Sequence, residues 1–281
     1  KIMEPLLEAL READIGKVVQ NEPLSKHTTI KVGGPAAVYV EPSDVNGLKR
    51  ALAITASHGA RWLVIGRGSN LLVKDGGYRG VVINLAKGLN DLTYAENGVI
   101  VGGGYPLIKL VTVVSKKGLS GLEFAGGIPG SVGGAVYMNA GAHGSDMSKV
   151  VKRVHVLFAD GTMRWLSNEE MQFSYRTSIL QQKKGIVIEA EIILKEADRD
   201  SVISLMRKHK DYRRDTQPWD APCCGSVFRN PLPQHSGALI EKAGLKGKRI
   251  GGAQISELHG NFIVNVGRKN TTAKDVLTLI D

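Results

Sequence analysis

Gly66-Arg67-Gly68-Ser69-Asn70 follows directly on the apolar run Trp62-Leu63-Val64-Ile65. About sixty residues later stands Gly126-Gly127-Ile128-Pro129-Gly130-Ser131-Val132-Gly133-Gly134. The reading of this chain turns on these two stretches. Glycine lets main-chain N–H groups approach a ligand with no Cβ in the way, and runs of such amides form concave anion sites. Two of them in one chain predict a long, doubly phosphorylated cofactor. The first stretch fails the dinucleotide fingerprint, because position 71 is Leu where a third glycine belongs. The residues after it read as strand and turn rather than helix. A phosphate-loop signature is absent as well. Read alone, the first stretch is equally well a set of tight turns, while the second is the more specific signal.

Working outward, eight glycines lie from Gly121 to Gly144. So many flexible positions weaken any helix or strand, so the segment is expected to be a loop that lets backbone approach a partner closely. On the N-terminal side, Met3, Leu6, Leu7 and Leu10 recur at helical spacing. Ile30 to Val40 alternates and is expected as a strand interrupted at Gly33-Gly34-Pro35. Asp44 to His58 reads as a helix stopped by Gly59. Trp62–Ile65, Leu71–Val73 and Val81–Ile83 read as strands, giving a βαβ-like lobe. Further on, Val99–Gly102 is an expected strand, and Pro106 opens a helix that Gly118 ends. Val151–Phe158 and Ile186–Leu194 are expected strands, the second alternating Ile188, Ala190 and Ile192 against Glu189 and Glu191. Ser167-Asn168-Glu169-Glu170 is a capping-box pattern and predicts a short helix. Val202, Leu205, Met206 and His209 mark another. A proline-bearing linker, Thr216 to Pro222, suggests a domain boundary. Beyond it, helices are expected near Ser236–Ala243 and Ala273–Ile280, with a strand at Asn261–Val266. The division expected is 1–75, 76–215 and 216–281.

The chain has 281 residues, 42% hydrophobic and 23% charged, an ordinary globular composition. Glycine makes up 34 of the 281 residues, above a usual share of about 7%. No apolar run approaches the roughly 18 residues that span a bilayer, and no leader pattern is visible. The only cysteines, Cys223 and Cys224, are adjacent and make neither a disulfide framework nor a metal site. No metal is expected, and a cytoplasmic location is. The net charge of +10 attracts anionic ligands or simply solvates the surface. Nucleic-acid binding is disfavoured, since aromatics are only 5% and no block of five or six consecutive Lys/Arg occurs.

Two more segments carry candidate chemistry. Cys224-Gly225-Ser226-Val227-Phe228-Arg229-Asn230-Pro231 opens the last domain. Ser226 has no neighbouring histidine and no nucleophile-elbow context, so it is either a turn residue or a proton donor, not a nucleophile. In Tyr175-Arg176-Thr177-Ser178, Arg176 precedes Ile179-Leu180. That suggests partial burial, and a buried arginine wants an anionic partner.

Taken in order, these segments resemble the UDP-N-acetylenolpyruvoylglucosamine reductase (MurB) family of flavoenzymes. The matching pieces are Asn21-x-Pro23-Leu24-x-x-His27-Thr28-Thr29, Gly66-x-Gly68-Ser69-Asn70-Leu71-Leu72 and Gly127-Ile128-Pro129-Gly130-Ser131-Val132-Gly133-Gly134. To these are added Tyr175-Arg176-x-Ser178, Gly225-Ser226-Val227-Phe228-x-Asn230-Pro231, Ala243-Gly244-Leu245-Lys246-Gly247 and Gly251-Gly252-Ala253. The short path from Arg176 to Pro218 resembles the family's second, shorter type.

The resemblance implies an α+β fold, a two-lobed FAD-binding domain of the vanillyl-alcohol-oxidase (PCMH) type plus a smaller α+β substrate-binding domain. It implies noncovalent FAD, held by Gly66, Arg67, Gly68, Ser69 and Asn70 and by Gly126, Gly127, Ile128, Pro129, Gly130, Ser131, Gly133 and Gly134. NADPH would reduce the flavin, and a hydride would pass to C3 of the enolpyruvyl ether of UDP-N-acetylglucosamine, in peptidoglycan precursor synthesis. Arg176 would stabilise the resulting enolate and Ser226 would protonate it. Tyr175, Arg229, Asn230 and His259 would hold the substrate, and neither nucleic acid nor membrane insertion is implied. The family also uses a glutamate after a final helix. No Glu here matches it, and it is expected outside these 281 residues. The competing readings are another FAD oxidase or dehydrogenase of the same fold and a basic nucleotide or nucleic-acid binder. Because Cys223 and Cys224 stand far from the glycine stretches in sequence, a noncovalent flavin is expected.

Overall fold

A computed structural model describes residues 3–281. The chain forms two compact units. Unit 1 holds residues 1–20, 38–66 and 80–211, and unit 2 holds 21–37, 67–79 and 212–281. The chain therefore passes between units five times, which no composition shift announces.

Unit 1 is built on two larger sheets. The four-stranded sheet runs in the order Gly16–Pro23, Pro35–Pro42, Tyr78–Asn84, Trp62–Ile65, and its last two strands are parallel. Helices α1 (Met3–Glu12) and α2 (Val45–Ser57) cover it, burying Leu6, Leu7, Leu10, Leu48, Ala51 and Leu52 as the helical spacing foretold. Asp44 caps α2 by accepting the Gly47 amide at 2.7 Å, and Gly59 follows with φ +64°. The five-stranded antiparallel sheet runs Met163–Ser167, Val151–Phe158, Gly185–Ile193, Gly98–Gly102, Leu92–Ala95. Helices α3 (Leu107–Lys116) and α4 (Val132–Met138) pack on one face of it, and α5 (Arg199–Thr216) carries the chain out.

Several expectations need correction. Ile30–Gly34 is not strand. Lys31 (φ +60°) and Gly33 (φ +137°) bend the chain there, and Ile30 and Val32 enter the core of unit 2 instead. Leu71–Val73 is irregular. Ser167 and Glu170 do exchange capping-box bonds, at 3.1 and 3.2 Å, but only a turn follows, since Gln172 (φ +50°) diverts the chain. The strands Gly16–Pro23 and Leu92–Ala95 were not foreseen. Ile188 and Ala190 do not share a face. His155 pairs with Glu189 and Val156 with Val187, leaving Ile188 as the extra residue of a bulge. The bulge shifts the pleat, so Ile188 faces the α1–α2 core while Ala190 and Ile192 face the α3–α4 core. Gly103 donates its amide to the Ile188 carbonyl at 2.8 Å, a contact a Cβ would block by striking the Val187 carbonyl.

Unit 2 is built on the antiparallel strands Arg249–Ile250, Ala253–Ile255 and Ile263–Asn265, with α6 (Ser236–Lys242) and α7 (Ala273–Ile280). Ile30, Val32, Ala253, Ile255, Ile263, Ala273 and Val276 make its core. Asn265 donates to the Ile30 carbonyl at 2.9 Å, and Asp75 caps α7 from outside through the amides of Ala273 and Lys274.

Candidate functional site

The two glycine stretches converge in unit 1. A Cβ on Gly66, at the end of its strand, would collide with Ser131 Oγ. Ser131 is 5% exposed and caps α4, accepting the Gly134 amide at 3.2 Å. So the second stretch is not a loop throughout. Its last third is the first turn of a helix, made possible because Ser131 satisfies one of the amides that glycine-rich helix starts leave open. Two other amides of that turn are also spent inside the chain. Val132 donates to Tyr105 at 2.9 Å and Gly133 to Gly103 at 2.8 Å. Gly133 thus serves close packing against Gly103. Among the described residues, the amides of Gly127, Gly130 and Ser131 have no acceptor. Gly127 and Ser131 are buried, and Gly130 has φ +112°. A buried N–H without a partner costs stability unless a ligand or water takes it. These three are therefore the amides of the stretch left open to an acceptor from outside the chain.

In unit 2 the rest of the first stretch behaves alike. The amides of Arg67, Gly68, Ser69 and Asn70 find no acceptor among the described residues, and Gly68 is buried. Gly68 has φ +70° and lies against the His27 carbonyl so closely that a Cβ would strike it. Thr29 ties three segments together, its amide and hydroxyl donating to Gly68 O at 3.1 and 3.2 Å and the hydroxyl also to Cys223 O at 2.6 Å. Cys223, remote in sequence, is thus a neighbour of the first glycine stretch, which corrects the reasoning behind the noncovalent flavin. The expectation itself now rests on chemistry. Burial raises both thiols, Cys224 to about 11, so both stay protonated and poorly nucleophilic.

Ser226 follows Gly225 (φ +78°) and is exposed. The backbone after it is pinned by Asn261, whose Oδ1 accepts the Phe228 amide at 2.9 Å and whose Nδ2 donates to Phe228 O at 2.8 Å, while Val227 N donates to Asn261 O. A fixed backbone with an outward hydroxyl suits a positioned proton donor. Asn230 Oδ1 accepts the Ser236 amide at 3.0 Å, and Ser236 Oγ donates to Arg229 O at 2.8 Å, closing the loop onto α6. His259 Nδ1 accepts the Asn261 amide at 3.1 Å, which leaves Nε2 as the donor of the neutral ring. Burial, with Lys246 and Arg213 nearby, holds His259 below the usual histidine range. It is therefore a neutral N–H donor near pH 7 rather than a cation.

Arg176 belongs to unit 1 and is half-buried. It is the second residue of a two-residue turn closed by mutual bonds of 3.1 Å between Ser174 and Thr177, and its φ is +55°. Its guanidinium donates to Gly141 O at 3.2 Å and lies 5.0 Å from the Tyr175 ring. Asn139, the left-handed C-cap of α4, donates to Ser174 O at 2.9 Å, and Ser178 Oγ donates to Tyr137 O at 2.8 Å. Helix α4 thus runs from the glycine cradle at its N-cap to the arginine turn at its C-cap. Its seven residues span roughly 10 Å at about 1.5 Å each.

Thr29, Asn139 and Asn261 were not singled out by sequence reasoning. Thr29 lies inside a quoted segment and Asn139 within the glycine-rich span from Gly121 to Gly144, but nothing in spacing marks them. Asn261 was read only as the first residue of an expected strand, with no sign of its role.

Comparison with known proteins gives two family models. One, for an FAD binding domain, matches residues 36–167, and one for the UDP-N-acetylenolpyruvoylglucosamine reductase C-terminal domain matches 217–281. The UDP-N-acetylenolpyruvoylglucosamine reductase of Anoxybacillus flavithermus is 62% identical over 280 residues, covering 99% of this chain and 92% of that one. The crystal structure of the Thermus caldophilus enzyme superposes with a TM-score of 0.80 at 42% identity, covering 94% of this chain and 92% of that one. Phl p 4.0202, a glucose dehydrogenase, matches with a TM-score of 0.54 at 16% identity, covering 70% of this chain and 45% of that one, which speaks to fold alone. The α+β, PCMH-type expectation holds. Among the described residues no helix is long and apolar enough to cross a membrane.

Proposed function

The chain belongs to the UDP-N-acetylenolpyruvoylglucosamine reductase family, and on that premise we propose that it reduces the enolpyruvyl ether of UDP-N-acetylglucosamine to UDP-N-acetylmuramate, a step of peptidoglycan precursor synthesis. It is an FAD-dependent oxidoreductase with NADPH as reductant. The residues present fit FAD, because among the described residues the buried amides of Gly127 and Ser131 in unit 1 have no acceptor and a phosphate group would take them. When bound, FAD supplies hydride transfer from NADPH to the substrate carbon.

The chain's own part concerns binding, charge and the proton. Residues 1–75 and 76–215 are assigned to the cofactor and 216–281 to the substrate. Gly66, Arg67, Gly68, Ser69 and Asn70 hold the cofactor, together with Gly126, Gly127, Ile128, Pro129, Gly130, Ser131, Gly133 and Gly134. Gly127, Gly130 and Ser131 present amides, while Gly66 and Gly133 let backbone approach. Arg176 faces the enolate oxygen that develops after hydride addition, and a fixed cation aimed at developing charge can contribute several kcal/mol. Ser226 delivers the proton to C2. Tyr175, Arg229, Asn230 and His259 orient the substrate, His259 through Nε2–H.

The observation that carries the reading is α4, with Ser131 at one end against Gly66 and Asn139 at the other holding the turn of Arg176. The purified protein should show flavin absorbance. Anaerobic NADPH should bleach it, and the enolpyruvyl substrate should restore it. Bleached flavin that this substrate leaves reduced would refute the assignment.

A further inference from the structure

Asn139 is 1% exposed, and each hydrogen-bonding group of its side chain is engaged. Nδ2 donates to Ser174 O at 2.9 Å and to Asp146 Oδ2 at 3.2 Å, and Oδ1 accepts the Ser148 amide at 2.9 Å. Two acceptors face the nitrogen and one donor faces the oxygen, so the carboxamide has a single orientation. Its backbone is left-handed, with φ +46°. Ser174 O belongs to the residue that closes the Tyr175–Arg176 turn, while Gly141, which the Arg176 guanidinium grips, lies two residues after Asn139. Asp146 pairs with Gly141 across the short hairpin Gly141–Ala142/Ser145–Asp146. One buried side chain therefore meets both supports of the arginine, the turn beneath its backbone and the hairpin beneath its guanidinium.

We infer that Asn139 is a positioning residue for Arg176, and that its carboxamide locks the arginine turn to the hairpin that the guanidinium grips. This rests on the proposed role of Arg176. The chemistry demands an amide. A carboxylate at 139 would set oxygen against both Ser174 O and the Asp146 carboxylate and lose both donated bonds. Asp146 is the titratable group bonded to this position, and Arg176, held on Gly141, is the charged one nearby. Two carboxylates sharing a site take up one proton far more readily than either alone. Acid would therefore restore a donor to Asn139→Asp.

The test uses the holoenzyme and separates the half-reactions. In Asn139→Asp at about pH 8, reoxidation of reduced enzyme by the enolpyruvyl substrate should slow about 100-fold, the scale on which an ångström of misplacement acts. The loss should fall in kcat, with KM within about threefold, since Arg176 acts on charge that appears after binding. FAD content and NADPH-driven bleaching should match the parent. At about pH 5.5 the deficit against the parent at the same pH should shrink at least about tenfold, because the shared proton is then present. A merely structural role moves neither the pH profile nor one half-reaction alone. Asn139→Gly, which keeps the left-handed backbone, completes a cycle with Arg176→Ala. Alone it should slow reoxidation, and on top of Arg176→Ala it should add nothing. Additive losses, loss of FAD from both Asn139 variants, or a parental rate in Asn139→Asp at pH 8 would each overturn the inference. A parental rate in Arg176→Ala would sink instead the role given to Arg176.

Discussion

Replacing Ser226 separates two chemistries. Ser226→Ala should leave NADPH-driven bleaching intact and slow substrate-driven reoxidation by about 10²–10⁴-fold, the usual cost of losing a positioned proton donor. Stopped-flow absorbance reads both phases, and parental reoxidation would make Ser226 only a turn residue. Histidines give a second prediction at this scale. Burial lowers both His209 and His259, helped by Lys208 at the first and by Lys246 and Arg213 at the second. An unfolded histidine takes a proton near pH 6.5, whereas these folded rings do so only at lower pH. Across that window the unfolded chain holds more protons, so stability is complete above about pH 6.5 and is lost as pH falls through the folded values. Melting temperature should fall from pH 7 to 5, and His209→Gln/His259→Gln should flatten that fall. An equal slope in parent and double variant would contradict it. Among single residues, the candidates Arg176 and Ser226 were visible in the sequence, because they stand in short segments with few alternatives. It hid Asn139, Asn261 and Thr29, whose importance lies in partners 35, 33 and 194 positions away.

At the scale of elements, the amphipathic helices were legible because their apolar spacing is local, as in α2 and α3. Helix α4 was not, since its glycines argue against helix and only the Ser131 cap and the packing on Gly103 outweigh them. The bulge at Ile188 was equally invisible. Strict alternation in sequence assumes a pleat that an inserted residue shifts. Ser131→Ala tests α4 directly. Loss of an N-cap costs about 1 kcal/mol, and here it also removes the group against which Gly66 packs. The thermal midpoint should drop, and FAD should dissociate at lower denaturant than in the parent, followed by flavin fluorescence. Unchanged flavin release would mean that the N-cap does not shape the cradle.

For the whole molecule, the charge of +10 acts on ligands that carry phosphates. Raising salt from about 50 to 500 mM, across which screening tightens severalfold, should lower kcat/KM for NADPH several-fold and leave kcat nearly unchanged. Salt-independent kcat/KM would assign the basic surface to solvation alone. The fold class was readable from ordered motifs, but the composition of the two units was not, because unit 2 collects residues 21–37, 67–79 and 212–281 through contacts of long separation. That scattering bears on biosynthesis. Asn265 holds the Ile30 carbonyl across 235 positions. At a synthesis rate of about 5–20 residues per second, Ile30 emerges from the ribosome roughly 10–50 s before its partner exists. During that time Ile30 and Val32, buried in the finished core, stay exposed on the nascent chain. Slowed or stalled translation between residues 40 and 260 would lengthen that exposure and favour capture by chaperones or aggregates.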